Sequence, residues 1–301
     1  MLGRLWAIVL AGGEGIRLRD LARDEYGERA PKQFCRFGGE RTLLAAALAR
    51  AERLVPRDRI VASVLEPHRR WWGPALAGRP AGAVVSQPCS RGTAAGVLAP
   101  LLRILREDPD ARVVILPSDH AVADEVILRR SLEHAVRIAE RRPDDLVLLG
   151  FTPDAPDPAL GWIVPSPERE WDSHRVVAFE EKPERGRASR LMEEGGMWNG
   201  LLMAARAAGL IGLYERFLPE LMPAVAEILR PPRAGSGARR EAAYERMPNR
   251  DVSRDLLTPA VAHLRVVRVP SCGWSDLGTP ASLLRWLASN GGLLSAAATP
   301  A

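Results

Sequence analysis

The chain has 301 residues, of which 47% are apolar and 26% charged, with a net charge of +5; this is the make-up of a soluble globular protein of one large domain or two small ones. Acids and bases are interspersed along the whole length, so the basic pI near 9.6 favours anionic ligands without drawing a nucleic-acid footprint. No apolar run reaches a membrane span, the short N-terminal one breaks at Gly12-Gly13 without a cleavage pattern, and three scattered cysteines lacking a CxxC indicate neither a disulfide framework nor a zinc site. A cytoplasmic protein is expected.

In chain order, the first half alternates two patterns. Leu5–Leu10, Arg59–Leu65, Gly82–Gln87, Ala111–Pro117 and Asp145–Phe151 are aliphatic runs that read as buried strands. Thr42–Leu54, Gly92–Asp108 and Leu128–Arg142 between them have helical spacing. Such alternation predicts an α/β fold, a mostly parallel sheet covered by helices on both faces. In such sheets ligands gather at the carboxyl ends of the strands. The second half is less regular. Arg175–Pro183 and Leu264–Pro270 read as strands and Ala207–Arg230 as one or two helices. Arg230–Arg240 reads as a surface loop, and Gly278–Asn290 as a closing helix with Thr279 as its cap and Pro280 at the first turn. The tail, 291–301, is expected to fray.

Chemistry is concentrated after these strands. Leu10–Leu21, "LAGGEGIRLRDL", puts three glycines behind the first strand, as a backbone needs when it bends sharply and turns its N–H groups toward phosphate. The dinucleotide pattern fails because Leu18 stands where its third glycine belongs, and the Walker Gly-Lys-Ser/Thr is absent. An NAD-dependent oxidoreductase is thereby discounted. A Gly-rich turn with Arg17 as a polyphosphate partner remains, beside the alternative of a purely structural turn. Lysine occurs only twice, at Lys32 in "APKQF" and Lys182 in "FEEKP", every other basic residue being Arg. A compact ammonium suits a phosphate differently from a guanidinium fork. Asp119 ends the apolar run "VVILPSDH", where a carboxylate can hold a hard cation such as Mg2+ or merely cap a helix.

Taken together, "GGEGIRL", "PKQF", "SQPCSRGTAAG", "LPSDH", "GFTPDAPDPALGW", "FEEKP", "WNGLLMA" and "GWSDLGT" resemble, in order and from Leu10 to Thr279, the motifs of sugar-1-phosphate nucleotidyltransferases. The "PKQF" and "LPSDH" forms are similar to the mannose-1-phosphate guanylyltransferase branch. The resemblance implies a Rossmann-like mixed sheet of the nucleotide-diphospho-sugar transferase (GT-A-like) type. It implies a single domain over 1–290, with a nucleotide half to about 150 and a sugar half beyond it. Nucleotide binding would fall to Leu10, Gly12, Gly13, Gly15, Arg17, Lys32, Gln87, Gly92 and Thr93. Sugar-phosphate binding would fall to Gly161, Glu181, Lys182 and Asn199. Asp119 and Asp276 would hold Mg2+, since two acids sharing a site repel unless a cation lies between them. Arg17, Lys32, Asp119, Lys182 and Asp276 would carry the chemistry.

The partners implied are a nucleoside triphosphate, GTP foremost, and a sugar-1-phosphate, mannose-1-phosphate foremost. No nucleic acid or membrane is expected, and a homodimer is left open. Gln87-Pro88 stands where the guanylyltransferases have Glu-Pro, as in thymidylyl and uridylyl relatives, so UTP or dTTP stays open, as does a heptose or glucose phosphate. A nucleotide-sugar sensor without activity is the rival of another class; retention of both acids and both lysines speaks against it. The chain stops one helix after "WSDLGT", and no isomerase activity is expected.

Overall fold

The computed structural model describes residues 4–289 apart from 16, 17, 19, 25, 38, 81 and 230–235. The expected frayed tail and the first part of the expected loop at 230–240 lie outside the described residues. The elements run β1 (Leu5–Ala11), α1 (Leu43–Glu52), β2 (Ile60–Leu65), α2 (Arg69–Ala75), β3 (Val84–Gln87), α3 (Gly92–Glu107), β4 (Arg112–Pro117), α4 (Glu125–Arg141) and β5 (Leu146–Phe151). They continue with β6 (Gly161–Glu170), β7 (Ser173–Glu181), α5 (Arg185–Glu193), β8 (Met197–Arg206), α6 (Ala207–Phe217), α7 (Met222–Ile228), α8 (Ser236–Glu245), β9 (Leu264–Val269) and α9 (Pro280–Ser289). No helix among the described residues is long and apolar enough to cross a membrane.

The described strands form one sheet in the order β3-β2-β1-β4-β8-β5-β9-β7-β6, with β8 also pairing β6. Pairings are parallel within β3-β2-β1-β4 and between β5 and β9, and antiparallel wherever β7 or β8 takes part. The mostly parallel, mixed sheet expected from the sequence is therefore present. The two halves interlock, because β8 of the second half lies between β4 and β5 of the first.

Alternation along β1 sends Leu5, Ala7, Val9 and Ala11 into one core with α1, α4 and α5. Trp6 and Ile8 enter a second core with α3, α6 and Tyr244 of α8. The near-continuous apolar runs of the inner strands follow from this two-sided burial. Helix ends obey local chemistry: Thr42 Oγ1 accepts from Ala45 N at 3.2 Å, and Asp124 accepts from Val126 N and Ile127 N. The Asp124 cap starts α4 at Glu125, three residues ahead of the periodicity reading. Thr279 caps α9 as expected: its Oγ1 accepts from Ser282 N at 3.1 Å while Ser282 Oγ accepts from Thr279 N at 3.0 Å.

Five elements depart from the sequence reading, which names neither of the short helices α2 and α5. β6 and β8 are ten-residue strands that the composition hides: β6 carries Pro165 and Pro167, which suit only edges or bulges, and β8 contains Asn199-Gly200 followed by Leu201 at φ +52°. The residues 236–240, read as loop, open α8.

The cysteines are all free. Burial pushes the Cys35 thiol up to about 12 and the Cys272 thiol up to about 11. Since the thiolate is the reactive form, iodoacetamide at pH 8 is expected to label only the partly exposed Cys89 of the native protein, read by mass spectrometry. Labelling of Cys35 or Cys272 before denaturation would contradict that burial.

Candidate active site

The site forms where the strand order reverses about β1, whose neighbours are β2 on one side and β4 on the other; crevices at such switch points are the usual ligand sites of these sheets. The loop leaving β1 carries Gly12, Gly13 and Gly15. Gly15 has φ +63°, and a Cβ there would stand 2.9 Å from the backbone N of Lys32, so glycine is required both by conformation and by space. The short 3-10 turn Lys32–Phe34 holds this loop from below: Gln33 Nε2 donates to Ala11 O at 3.2 Å and to Gly13 O at 2.7 Å. The middle of "PKQF" thus has a positioning task that the sequence did not reveal.

Lys32 is buried, and its ammonium lies 3.0 Å from Asp119 Oδ2. It also donates to the main-chain oxygens of Asp276 at 2.6 Å and Leu277 at 3.3 Å. These contacts join two loops far apart in sequence. The loop after β4 and the loop after β9 pair as a short bridge, Ala121 N to Ser275 O and Ser275 N to Ala121 O, both at 3.0 Å. That bridge brings Asp119 and Asp276 to one cavity. Partial burial pushes the Asp119 carboxyl up, but the Lys32 ammonium, which also donates to it, outweighs that and holds the group below its usual value. Burial pushes His120 down to about 4, so the imidazole is neutral and its Nδ1 accepts from Trp274 Nε1 at 3.3 Å.

The expected sugar-phosphate residues sit in one row across three strands. Gly161 of β6 is opposite Glu181 of β7 and opposite Asn199 of β8. A Cβ on Gly161 would lie 2.6 Å from Glu181 Oε2, so the glycine leaves that carboxylate its place. Burial, with the nearby Asp251 adding to it, raises the Glu181 carboxyl against the opposing pull of Lys182 and Ser253. Asn199 is fixed by Leu201 N donating to its Oδ1 at 3.0 Å and by its own Nδ2 donating to Ser253 Oγ at 3.4 Å. Lys182 adopts φ +51°, a left-handed conformation that costs a non-glycine residue on the order of 1–3 kcal/mol. This bend leaves its ammonium half-exposed and 3.0 Å from Glu181 Oε1. A cavity of about 160 Å³ is lined by Lys32, Asp119, Gly161, Glu181, Lys182, Asn199 and Asp276 together.

A second cavity, of about 200 Å³, is lined by Leu10, Gly12, Gly13, Gln87, Gly92 and Thr93. The two cavities share Thr93 and Asp251. Thr93 Oγ1 donates to Asp251 Oδ2 at 2.9 Å and accepts from Val252 N at 2.8 Å. Gly92 has φ +83°, and its Cβ would stand 2.0 Å from Arg250 O; its need for glycine arises at the contact with residues 249–250. All the expected site residues are thus brought to two adjoining cavities, except Gly15, which packs against the backbone of Lys32, and Arg17, which lies outside the described residues.

The donor chemistry of the two acids decides whether they suit a cation. Among the described residues no group of three or more His, Cys, Asp or Glu side chains could hold a metal ion. Two carboxylates facing one cavity fit Mg2+, which keeps several waters and is completed by substrate phosphates. One oxygen of Asp119 is already engaged by Lys32.

Residues 6–290 match the family model described as nucleotidyl transferase. The chain belongs to the nucleotidyl transferase family. Among its relatives, the xanthan biosynthesis protein XanB of Xanthomonas campestris pv. campestris (strain B100) is 30% identical over 289 residues, which is 92% of this chain and 58% of that protein. Mannose-1-phosphate guanylyltransferase of Escherichia coli is 28% identical over 228 residues, 73% of this chain and 46% of that protein. The chain therefore spans about half the length of the curated relatives it matches. A solved structure from Thermus thermophilus, described as mannose-1-phosphate geranyltransferase, superposes with a TM-score of 0.80 at 31% identity, covering 94% of this chain and 79% of that one. The family read from the ordered motifs is borne out.

In this nucleotidyl transferase the sequence reading missed the segment 249–253. Asp251 lines both cavities, and Ser253 positions Asn199. The only local signal is the polar run "PNRDVSRD" ahead of Leu256, where Asp251 Oδ1 caps the π-helical turn Val252–Leu257 through Arg254 N. That pattern reports a cap and says nothing of a ligand.

Proposed function

We propose that the chain transfers a nucleotidyl group from a nucleoside triphosphate, GTP foremost, to a sugar-1-phosphate, mannose-1-phosphate foremost, releasing pyrophosphate. The observation that carries this reading is the adjacency of the two cavities. One offers glycine backbone and an amide, as for a base and ribose, and the other offers two lysines, two aspartates and a Glu–Asn–Gly row, as for a sugar phosphate. The similarity to the Escherichia coli mannose-1-phosphate guanylyltransferase supports mannose and guanine as the first choice.

In this reading an anionic oxygen of the sugar phosphate attacks the α-phosphorus of the nucleotide. A new P–O bond forms as the bond to the departing pyrophosphate breaks, and no general base or covalent intermediate is required. The protein's task is to hold two anions together against repulsion. Lys182, at the mouth of the cavity, neutralises the sugar phosphate, while Glu181 and Asn199 hold sugar hydroxyls. Lys32 keeps Asp119 ionised and ties it to the loop of Asp276. Arg17 would clamp the triphosphate. When bound by Asp119 and Asp276, Mg2+ supplies further neutralisation of the phosphates.

The test is pyrophosphate release with Mg2+, crossing GTP, UTP, dTTP, ATP and CTP against mannose-1-phosphate and glucose-1-phosphate. GTP with mannose-1-phosphate is expected to be the best pair. Release with another pair keeps the reaction and replaces the substrates; silence together with tight NDP-sugar binding would leave a sensor instead. Gln87-Pro88 is the feature that favours the second reading, UTP or dTTP. With the preferred pair, Lys182→Ala is expected to lower kcat/KM for the sugar phosphate by about 100-fold, as for a lost hydrogen bond to a charged group. The KM for the nucleotide should change little. An equal effect on both KM values would remove Lys182 from the sugar-phosphate side.

A further inference from the structure

The base-facing side of the cavity is set by a residue outside every motif named above. Gln87 is buried and its side-chain amide is held at both ends. Tyr244 of α8 donates its Oη–H to Gln87 Oε1, and Gln87 Nε2 donates to Ser63 Oγ at 3.0 Å. Tyr244 has no exposed surface, and among the described residues Gln87 is the one hydrogen-bond partner of its hydroxyl. Burial holds that phenol well above its usual value, so it stays a donor. A flipped amide would leave the phenolic proton buried without an acceptor, which is the expensive outcome. Ser63, by contrast, lines the cavity, where its own proton can be used.

The locked amide turns its nitrogen toward the cavity. Gln87 Nε2 lies 3.8 Å from where a Cβ of Gly12 would be and 3.7 Å from that of Gly96, and both glycines are cavity walls. With one Nε2 proton given to Ser63, the other is free for a ligand. The carbonyl end is directed at Tyr244, which does not line the cavity. The site therefore shows a base two donors, the Gln87 N–H and the Ser63 O–H.

We propose that Tyr244 is a specificity-positioning residue: by fixing the amide of Gln87 it makes the cavity select bases that carry a carbonyl on the facing edge, such as guanine, hypoxanthine, uracil or thymine, over the amino bases adenine and cytosine. This rests on the reading of the 200 Å³ cavity as the base site. A donor facing a carbonyl is satisfied, whereas a donor facing an exocyclic amine leaves two unpaired donors in a confined space.

The experiment compares pairs that differ chiefly at that edge, UTP against CTP and ITP against ATP. Binding is measured by calorimetry without sugar phosphate, and kcat/KM with it. The wild-type protein is expected to favour the carbonyl base of at least one pair by about tenfold or more, the discrimination of one good polar contact. Tyr244→Phe removes the lock but keeps the ring, and the ratio is expected to fall to within about threefold of unity, the loss being most of one such contact. Thermal denaturation checks that this variant is folded. Gln87→Glu gives a second arm that does not depend on Tyr244→Phe folding: one carboxylate oxygen takes the Tyr244 hydroxyl, the other presents an acceptor, and the preference should reverse toward the amino base. Equal wild-type affinity within both pairs overturns the proposal, as does an unchanged ratio in folded Tyr244→Phe. Failure of every nucleotide to bind would instead overturn the base-site reading, and binding without turnover would leave the proposal standing while removing the activity.

Discussion

Asp119→Asn is expected to reduce pyrophosphate release by about a hundred- to a thousandfold, the scale on which removal of one charge-stabilising group acts. The substitution keeps the shape of the side chain and removes its charge. It also leaves the buried Lys32 ammonium, 3.0 Å away, facing a neutral amide, with no charge to balance its own beside the main-chain oxygens of Asp276 and Leu277 among the described residues. Breaking a buried pair costs about 3–5 kcal/mol, but Asp119 is one-third exposed, so solvent reduces the loss and the protein should remain folded with a lower Tm. Raising the Mg2+ concentration should recover little of the rate. Near-normal turnover by folded Asp119→Asn would remove this carboxylate from the chemistry and with it the proposed cation site. Tm and rate must be measured on the same preparation, because the two effects come from different partners of one side chain.

Gly92→Ala is expected to be the most damaging glycine substitution in the site. Its backbone lies at φ +83°, and the new methyl would meet Arg250 O at 2.0 Å and Asn249 Oδ1 at 2.6 Å. The left-handed conformation alone costs an L-residue about 1–2 kcal/mol, and the clash is with main chain that cannot swing aside. Relief requires residues 249–251 to withdraw from the N-terminus of α3, breaking the hydrogen bond from Ala94 N to Arg250 O at 3.0 Å. Since Asp251 belongs to both cavities, affinity for nucleotide and for sugar phosphate should fall together. Denaturant unfolding should register a loss above about 2 kcal/mol, the range for backbone strain combined with a steric conflict. Gly13→Ala is the control: a Cβ there meets nothing within 4 Å, and stability should hardly change. If the two variants unfold alike, the contact with 249–250 does not constrain Gly92.

Much of this fold is written locally. Inner strands such as β1, β4 and β5 are apolar on both faces because helices cover both, so each announces itself without knowledge of its neighbours. Helices α1 and α9 start at Thr42 and Thr279, residues whose side chains satisfy the first free N–H groups. β6 and β8 did not announce themselves. Proline in one and Asn199-Gly200 in the other argue against a strand until a partner is present, and the partners, β7 and β5, are supplied by the sheet.

The site divides in the same way. Its chemistry was set by the sequence: two lysines in a chain otherwise wholly Arg for its basic charge, two aspartates after apolar runs, and glycines where backbone must approach a ligand. These are statements about residue types and their immediate neighbours, and a linear pattern carries them. Only the tertiary structure decided how they are used. It turned Lys32 inward onto Asp119, placed Gly161, Glu181 and Asn199 side by side on three strands, and gave Gln87 an orientation through Tyr244, 157 positions away. The physical reason is that charge pairing, cross-strand register and the direction of a hydrogen bond depend on distances between segments that only packing brings together, and no local periodicity encodes them.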